Sequence, residues 1–586
     1  MLGVSRSVTG RRWLWRSGDA RLGMAIAQRL SLPELLGTLL AARGVAPEAA
    51  ADFLDPTLRA LLPDPSVLRD MDRAAERLAD AAERGEQVAV FGDYDVDGAC
   101  AGALTVRALR QLGCEVSHYV PDRIKEGYGP NPGAIRTLCE RGATLIVCVD
   151  CGIAAHAALA EAAGRADVIV LDHHKSEGPV PDVAAVVNPN RLDCDSGLRH
   201  LCAAAVSFLA MIATQRALRR RGYFARMREP ALLELLDIVA LATVCDVMPL
   251  TGVNRALVAQ GLKVLGKRNN AGLRALMDVG LVKDAPGAHT LGFVLGPRIN
   301  AAGRIDECDL GLRLLLCEDA VEARAMAERL DAVNRRRQEV EGEVLGAALA
   351  AAEQQAAAGL PVLMVCGEGW HPGVVGIVAG RLKEKFNRPA CVAGLAGGMA
   401  KGSGRSVPGL DLGAEVIAAR QAGLLDSGGG HAMAAGFGFA GHRVQEVHDF
   451  LAERLSHAAG LPSAADLMVE GSITVPAATT ALAQQVERLA PFGAGNEEPV
   501  FALPRSRVVR ADRVGKEGAT VRAFLEGEMG GRLKAICFRA KEGPLAEALL
   551  SSRGAPLHLC GQLRAERWND DTSACFHVVD AAPVPG

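Results

Sequence analysis

The sequence predicts an α/β protein in which a parallel sheet is followed by a long helix, a second α/β domain and a C-terminal β-barrel. Three observations carry this prediction. Short apolar runs alternate with Ala-rich stretches from residue 86 to about 200, as parallel strands and crossover helices do. A proline-free stretch of helix formers covers 317–359. Short β-like runs separated by glycine turns fill 467–586.

Length and composition imply a large protein of several domains, since 586 residues with 49% hydrophobic content exceed what one core organises. Lys and Arg total 65 against 68 Asp and Glu, so the net charge of -3 gives no global attraction to nucleic acid or membranes. Fifteen cysteines without a repeating framework are typical of a reduced, cytoplasmic protein. No stretch is apolar enough to span a bilayer, and we expect no membrane partner.

Residues 1–85 form a predicted N-terminal helical region. Its segment 31–44 has Ser31 as an N-cap, Pro33 in the first turn and Gly44 as a terminator. Residues 1–19 are Arg-rich but lack the apolar core of a secretory signal. We expect a loose, solvated terminus there, with a transit peptide as the alternative.

The chemistry lies in residues 86–316. Four apolar runs, QVAVFGD, ATLIVCVDCG, ADVIVLDHH and VAAVVNP, each end in polar residues. Ligands bind beyond the carboxyl ends of parallel strands, so the side chains that follow the runs should converge on one edge of the sheet. These side chains are Asp93, Asp95, Asp97, Asp150, Asp172, His173 and His174. A later apolar helical stretch adds Asp246.

Carboxylates crowded at one edge repel each other, and either protonation or a bound cation offsets the repulsion. Several oxygens together with imidazole favour a divalent metal. The alternative is that each aspartate caps a helix, as Asp97 would cap the stretch that follows it. Helix capping does not explain why three aspartates occupy alternate positions, however. Two adjacent histidines are also unusual in a purely structural turn. The sequence therefore predicts a metal site.

Residues 317–359 should form one connecting helix, because Met326, Leu330, Val333 and Val340 recur at roughly helical spacing. About 35 helical residues reach roughly 50 Å, enough to tether two lobes across a cleft. A coiled-coil dimer is the alternative, but Ala and Arg interrupt the apolar stripe. We expect a tether in a monomer.

The second α/β domain, 360–460, contains two glycine-rich stretches, KGSGRSVPG and DSGGGHAMAAG. Glycines let backbone amides approach an anion, although tight turns explain the same pattern. The nearby side chains that can donate to phosphate are Ser403, Arg405, Ser406 and His431.

In the predicted barrel, cationic and aromatic side chains are candidates for gripping a single strand, although half of them would fill the core equally well. They are Arg522, Phe524, Lys534, Phe538, Arg539 and Trp568. Elsewhere, the arginines between Arg216 and Arg228 either steer DNA or form a solvated helix end.

Four motifs occur in a fixed order: GDYDVDG (92–98), VDCGI (149–153), LDHH (171–174) and ATVCDVMPL (242–250). Together they resemble the motifs of the DHH phosphoesterase superfamily. Later stretches, LGFVLGPRINAAGRI, GWHPGVVGIVAGRLKEKFNRP and GGGHAMAAGF, are similar to its RecJ family of bacterial single-strand-specific exonucleases, from about residue 85 to the C-terminus. One stretch departs from the family pattern, because Ala203 and Ala205 stand where glycines are expected.

The resemblance implies a DHH domain at 86–316, a DHHA1 domain at 360–460 and an oligonucleotide/oligosaccharide-binding (OB) fold at 467–586. It implies hydrolysis of single-stranded DNA from the 5′ end, with release of 5′-mononucleotides by two divalent metal ions, Mn²⁺ or Mg²⁺, in DNA repair and recombination.

The same resemblance implies roles for individual residues. The metal ligands would be Asp93, Asp95, Asp97, Asp150, His173 and Asp246, with Asp150 bridging. The catalytic set would be Asp150, His174 facing the scissile phosphate, and Asp172 orienting its neighbours. The residues that bind substrate would be Arg123, Arg298, Asn300, Arg304, Ser403, Arg405, Ser406 and His431.

Two other functions compete with the exonuclease. One is a DHH phosphodiesterase for short oligonucleotides or cyclic dinucleotides, and the other is a non-catalytic DNA-binding scaffold. The C-terminal barrel favours the exonuclease over the former, and the intact carboxylates and histidines favour it over the latter. We expect single-stranded DNA as the partner, with a single-strand-binding protein and a helicase, in the cytoplasm.

Overall fold

The structure is a computed structural model that describes residues 2–123, 125–175, 178–462, 464–552, 554–568 and 571–584. The chain forms two compact units. The first unit contains Glu48–Arg335 and Leu489–Glu497, and the second unit contains Met1–Pro47, Arg336–Arg488 and Glu498–Gly586. Every helix among the described residues is too short or too polar to cross a membrane.

The N-terminal region contributes elements to both units. They are β1 Trp13–Trp15, α1 Ala20–Leu30, α2 Glu34–Ala42, α3 Ala50–Leu54, α4 Leu58–Leu61 and α5 Met71–Arg84. The helix predicted within 31–44 is α2, but the expected N-cap is wrong. Ser31 instead ends α1 in a left-handed conformation with φ 51°, and Pro33 precedes the first turn of α2.

Strand β1 belongs to the second unit, where it pairs in parallel with residues 467–469. The Trp13 side chain is 4% exposed, and its Nε1 donates a hydrogen bond to Asp580 Oδ2 at 2.9 Å. The prediction of a loose, solvated terminus is wrong for these residues, because a buried indole with a satisfied N–H holds the strand in place.

The first unit is built on a parallel sheet. Its strands are β2 Gln87–Gly92, β3 Glu115–Tyr119, β4 Leu145–Val149, β5 Asp167–Leu171 and β6 Ala185–Val187. They lie in the order β3-β2-β4-β5-β6, all parallel. The helices that follow β2, β3 and β4 are α6 Val96–Gln111, α7 Pro132–Glu140 and α8 His156–Leu159.

Both faces of this sheet are buried, as continuous apolar strands predict. Val88 and Val90 of β2 pack into the core that contains α5 and α6, whereas Ala89 and Phe91 pack into the core that contains α7 and α8. The sheet therefore leaves only its strand ends open to ligands.

Further helices of the first unit follow its sheet in sequence. They are α9 Ala203–Arg220, α10 Leu236–Cys245, α11 Gly252–Gly266, α12 Ala271–Val279, α13 Gly296–Ile305 and α14 Leu310–Leu316. A π-helical turn, Thr290–Leu295, leads directly into α13. The predicted long helix follows as α15, which runs without interruption over Ala320–Ala357 and is shared by the two units.

The second unit contains a mixed sheet. Its strands are β7 Leu363–Glu368, β8 Ala390–Ala396, β9 Met399–Arg405, β10 Ser427–His431 and β11 Ala434–Ala440, in the order β10-β11-β9-β8-β7. Only β7 and β8 pair in parallel. The helices of this domain are α16 Pro372–Phe386, α17 Leu412–Gln421 and α18 Val444–Arg454.

The C-terminal strands of the second unit form the predicted barrel. After β12 Leu467–Val469 and β13 Gly471–Ser472 come β14 Phe501–Val514, β15 Thr520–Gly527, β16 Gly530–Cys537, β17 Pro556–Trp568 and β18 Asp571–Pro583, with helices α19 Thr480–Glu487 and α20 Pro544–Ser551. Pairing of β14 with β17 closes the five long strands into a barrel.

The candidate strand-gripping side chains of the barrel differ in availability. Phe538 is 55% exposed and Arg539 is exposed, whereas Phe524 is half-buried. Lys534 already forms an ion pair with Glu566 at 3.0 Å. The side chain of Trp568 lies outside the described residues.

Candidate metal centre

Acidic and imidazole side chains meet at the carboxyl ends of neighbouring strands in the first unit. Strand β4 lies between β2 and β5, and Asp93, Asp150 and Asp172 follow these strands directly. Ligand atoms of Asp93, Asp95 and Asp150 lie within 4.8 Å of one another. The predicted convergence on one edge of the sheet is therefore observed.

The first three aspartates lie at and just before the start of α6, with Asp97 in its first turn. Asp95 is the N-cap of this helix, and its carboxylate accepts a hydrogen bond from the Gly98 N–H at 3.0 Å. A Cβ at Gly98 would lie 2.5 Å from the Asp93 carbonyl oxygen, so only glycine permits the turn. The helix-capping alternative thus applies to Asp95 rather than to Asp97.

Asp97 is buried and is held by another helix. Its two carboxylate oxygens accept hydrogen bonds from the Ala203 and Ala204 N–H groups, at 2.6 and 2.9 Å, at the N-terminus of α9. Ala203 and Ala205, which stand where the resemblance led us to expect glycines, are completely buried in the core. Their methyl groups leave the donors to Asp97 in place, and a helix N-terminus favours negative charge.

His173 lies at the centre of the cluster. Its Nε2 is 3.3 Å from Asp150 Oδ1, 3.5 Å from Asp246 Oδ2 and 3.7 Å from Asp97 Oδ2. Asp97, His173 and Asp246 thus form a second set of neighbouring ligand atoms, and Asp150, His173 and His174 form a third. Asp150 belongs to two of the three sets, which suits a shared carboxylate.

Asp172 is buried beneath His173 and His174 and positions both of them through hydrogen bonds. Its fully buried carboxylate accepts hydrogen bonds from His174 Nδ1 at 2.8 Å and from the backbone N–H groups of Ile153, His173 and His174. Burial opposes ionisation of Asp172, but these hydrogen bonds outweigh it and keep its pKa below the ordinary value. Burial likewise disfavours the imidazolium of His174, yet the Asp172 carboxylate raises its pKa to about 9.

Sequence reasoning missed three residues that support this site. The Tyr128 hydroxyl lies 3.0 Å from the Asp150 carbonyl oxygen and 3.1 Å from His174 Nδ1. Asn188 Nδ2 donates to the His174 carbonyl at 2.9 Å, and Asn190 Nδ2 donates to the His173 carbonyl at 2.6 Å. The two asparagines follow β6 in an Asn-Pro-Asn turn, so the end of the fourth apolar run was their only signal.

We expect Tyr128→Phe to lower the rate of phosphodiester hydrolysis about fivefold, since one hydrogen bond is worth roughly 1 kcal/mol. Asp150 has a left-handed backbone with φ 59°, and the Tyr128 hydroxyl holds its carbonyl. Steady-state kcat on a single-stranded substrate measures the loss. The matched control is Tyr223→Phe, whose hydroxyl donates to the Leu112 carbonyl at 2.7 Å elsewhere in the unit. An equal loss of kcat in both variants would contradict a local role for Tyr128.

The electrostatics of the cluster fit a divalent cation. Burial, followed by repulsion from Asp95, raises the pKa of Asp93 to about 8. Burial and then Asp97 raise that of Asp246 to about 8, and the pKa of Asp150 lies well above its ordinary value for the same reasons. Among the described residues, Asp93 Oδ1, Asp150 Oδ1 and Asp246 Oδ2 are buried without a hydrogen-bond partner. Oxygen atoms with one imidazole are a donor set that Mn²⁺ and Mg²⁺ accept.

A polar pocket beside the first aspartates contains three of the predicted substrate residues. Arg123, Asn300 and Arg304 line it together with Asp93 and Asp95. The Arg123 guanidinium carbon lies 5.0 Å from the centre of the Tyr94 ring, and Asn300 Oδ1 accepts a hydrogen bond from the Val96 N–H at 3.2 Å. The pocket therefore joins positive charge to the acidic cluster.

Arg298 differs from these three residues. Its guanidinium donates to Asp331 Oδ1 at 3.0 Å and to the Val294 carbonyl at 2.7 Å. In this structure the side chain thus fastens α13 to α15 and to the preceding turn. The expected substrate contact would have to break an ion pair between half-buried groups.

The predicted anion-binding residues of the second unit lie at one end of its sheet. Arg405 pairs with Ala434 across β9 and β11, and His431 pairs with Ala434 across β10 and β11. The Arg405 guanidinium donates to Ser403 Oγ at 2.8 Å. Ser406 departs from the expectation, because it is 0% exposed and its hydroxyl donates to the Leu410 carbonyl at 3.0 Å. A buried hydroxyl engaged in this way is not available to a phosphate.

Several arginines of the cluster between Arg216 and Arg228 form ion pairs with acidic side chains. Arg216 pairs with Asp64 at 2.7 Å, Arg220 pairs with Glu76 at 2.8 Å, and Arg221 pairs with Asp80 at 2.8 Å. Glu76 and Asp80 lie on α5. These ion pairs favour the solvated helix end over an unpaired surface that steers DNA.

Three family models match successive parts of the chain. They are the DHH family N-terminal domain at residues 87–243, the DHHA1 domain at 359–457 and the RecJ OB domain at 469–580. Single-stranded-DNA-specific exonuclease RecJ of Dickeya dadantii is 40% identical over 80% of this chain and 83% of its own. The corresponding protein of Bacillus subtilis is 32% identical over 97% and 71%.

Solved structures agree with these matches. The crystal structure of RecJ in complex with Mn²⁺ from Thermus thermophilus superposes with a TM-score of 0.80 at 30% identity, over 98% of this chain and 80% of the other. An exonuclease RecJ bound to manganese gives 0.57 at 34% identity, over 69% and 96%.

The parallel sheet, the ordered acidic motifs at its carboxyl edge and the following DHHA1 domain define a phosphoesterase of the DHH class. The OB barrel and the relatives narrow this class further. The chain belongs to the RecJ family of single-stranded-DNA-specific exonucleases.

Proposed function

We propose that this protein is a metal-dependent exonuclease that degrades single-stranded DNA from the 5′ end and releases 5′-mononucleotides in repair and recombination. The observation that carries the proposal is the cluster of buried carboxylates around His173, in which three oxygens lack a hydrogen-bond partner among the described residues. Relatives named single-stranded-DNA-specific exonucleases support the substrate. Related structures with Mn²⁺ and with Mg²⁺ support the metal.

Two divalent ions would be held by the clustered side chains, with Asp150 shared between them. The proposed ligands are Asp93, Asp95, Asp97, Asp150, His173 and Asp246. When bound, such ions supply Lewis-acid chemistry, since they lower the pKa of water and neutralise phosphate charge. The protein's contribution is to position the ligands before the substrate arrives: backbone N–H groups of α6 and α9 hold the carboxylates of Asp95 and Asp97, and the strand ends carry Asp93 and Asp150.

The His174 side chain is accessible to a phosphate. Its side chain is 37% exposed, whereas Asp172 and Asp150 beneath it are buried. Asp172 and Tyr128 orient the imidazole, so it can donate a hydrogen bond to the scissile phosphate. Asp172 is accordingly a positioning residue.

Positive and polar side chains would bind the rest of the strand. In the first unit these are Arg123, Asn300 and Arg304, which line the pocket beside Asp93. In the second unit they are Ser403, Arg405 and His431. Arg298 and Ser406 would act by supporting α13 and the turn after β9, since Arg298 is ion-paired with Asp331 and the Ser406 hydroxyl is buried against the Leu410 carbonyl.

We further propose that the protein acts as a monomer in the cytoplasm, where a helicase supplies the strand and a single-strand-binding protein holds it. All fifteen cysteines are free thiols in the structure, which suits a reducing compartment.

The decisive experiment compares 5′-labelled long single-stranded DNA with a dinucleotide, each in Mn²⁺ or EDTA. Processive release of labelled mononucleotide from the long strand in Mn²⁺ alone is the expected result. Preference for the dinucleotide would indicate a short-oligonucleotide phosphodiesterase. Binding without hydrolysis in either metal would indicate a scaffold.

We expect Arg405→Ala to weaken single-strand binding and to reduce the slope of log K against log salt by about 1, because one phosphate contact is lost. Blunt duplex should remain resistant. Filter binding and mononucleotide release over a salt series measure both effects. The matched control is Arg420→Ala, an exposed arginine on α17 of the same unit. Unchanged single-strand binding, or new cleavage of blunt ends, would remove Arg405 from the substrate contacts.

A further inference from the structure

The loop that carries Asp246 does not adopt a conformation that its own residues prefer. Asp246 ends α10, and Val247 follows it in the left-handed region with φ 58°. A β-branched residue is costly there, so the loop needs support from its surroundings. Its buried anchor is Leu250, which is 1% exposed.

The support comes from Leu489–Glu497, a segment of the first unit that precedes the barrel in sequence. The Leu250 N–H donates a hydrogen bond to the Ala494 carbonyl at 2.7 Å. A Cβ at Gly493 would lie 2.7 Å from Leu250 Cδ1. Gly495 has φ +70°, and a Cβ there would lie 3.1 Å from Pro249 Cβ. The backbone of the segment therefore packs directly against the loop.

Arg255 of α11 clamps the same segment. The side chain is 1% exposed, and its guanidinium donates to the carbonyls of Leu489 at 2.9 Å, Ala490 at 2.7 Å and Pro491 at 3.4 Å. It also donates to the Phe53 carbonyl at 2.7 Å and lies 3.9 Å from the centre of the Phe53 ring. A buried cation satisfied by carbonyl groups is rigid, because any displacement leaves charge unpaired in the core.

Hydrogen bonds within the segment also stabilise its turn. Asn496 Nδ2 donates to the Leu489 and Pro491 carbonyls at 2.9 and 2.8 Å, and Gly493 and Asn496 exchange two backbone hydrogen bonds. Arg255 and Asn496 thus both donate to the carbonyls of Leu489 and Pro491. These hydrogen bonds hold the turn of the segment in the conformation that packs against Leu250.

We propose that Leu489–Glu497 is a positioning element of the metal centre, and that Arg255 is the positioning residue that fixes it. This inference rests on the proposed function, in which Asp246 is a metal ligand. Contacts link Arg255 to the segment and the segment to Leu250, which is joined to Asp246 through the backbone of residues 247–249. Residues adjoining the strand-binding barrel in sequence would thereby set the geometry of hydrolysis.

The test measures Mn²⁺ binding directly, by the electron paramagnetic resonance signal of free Mn²⁺, in the full-length chain without DNA. We expect Arg255→Met to weaken Mn²⁺ binding about tenfold, as loss of an outer support of a ligand does. Raising Mn²⁺ should restore much of the nuclease activity, and Arg255→Lys should retain part of the affinity. The matched control is Arg268→Met. Arg268 lies just beyond the other end of α11, where it donates to the Val282 carbonyl. Its loss should leave Mn²⁺ binding unchanged.

If Arg255→Met does not fold, Gly495→Ala provides the same test with one added methyl group against Pro249. Folded Arg255→Met or Gly495→Ala with wild-type Mn²⁺ affinity would overturn the inference, even if either variant melts at a lower temperature. Failure of the wild-type protein to bind Mn²⁺ would instead overturn the proposed function. The two failures are therefore distinguishable.

Discussion

Asp150→Asn is expected to lower kcat for single-strand hydrolysis by more than about a thousandfold, because it removes the one carboxylate shared by two sets of ligand atoms. The fold should survive. Asparagine has the same size, and replacing a buried carboxylate among like charges removes repulsion. Release of labelled mononucleotide in Mn²⁺ measures activity, and thermal unfolding in EDTA measures stability.

The matched control is Asp182→Asn, an exposed aspartate of the same unit, which should change neither measurement. An Asp150→Asn protein that keeps kcat within tenfold of wild type would contradict the shared-ligand role. A large fall in melting temperature in EDTA would show instead that the carboxylate is needed for folding.

His174→Ala should lower kcat by about 10²–10⁴-fold, the range for loss of a positioned acid–base or hydrogen-bonding group. Mn²⁺ binding should change much less, since His174 lies outside the proposed ligand set. Equilibrium Mn²⁺ binding beside single-turnover hydrolysis separates the two effects. Loss of Mn²⁺ binding in step with kcat would make His174 a ligand rather than a phosphate contact.

A double-mutant cycle with Asp172→Asn sharpens this prediction. If Asp172 acts through the imidazole that it holds at 2.8 Å, the double variant should hydrolyse DNA no more slowly than His174→Ala alone. Stability will still fall, because Asp172 also accepts backbone N–H groups of Ile153 and His173. Fully additive losses in kcat would show that Asp172 acts independently.

Much of the metal centre could be predicted because it depends on local order. Asp93, Asp150 and Asp172 each follow an apolar strand, and strands that run parallel end at the same edge. Tyr128 could not be found in this way. It lies on a glycine-flanked turn between elements, and nothing local indicates that its hydroxyl reaches Asp150.

Substrate residues were less predictable than metal ligands, because a donor's availability depends on what packs around it. Arg405 and Ser406 are adjacent in a glycine-rich stretch, and the sequence predicts that both can donate to a phosphate. In the fold, Ser406 is turned into the core, where it donates to Leu410. Arg298 and Arg304 lie in the same sequence motif. In the fold, however, the Arg298 guanidinium is paired with Asp331 of α15.

Elements whose cause is local could be read from the residues alone: parallel strands from apolar runs, the long helix α15 from helix formers, and the order of the acidic motifs. The pairing of β1 with β12 and the packing of Leu489–Glu497 against the Asp246 loop became visible only in the folded chain. In both cases the partners lie hundreds of residues apart, and their hydrogen bonds join backbone groups that every residue except proline carries in full. These backbone groups alone therefore do not identify their partners, which become specific only when the folded core brings them together.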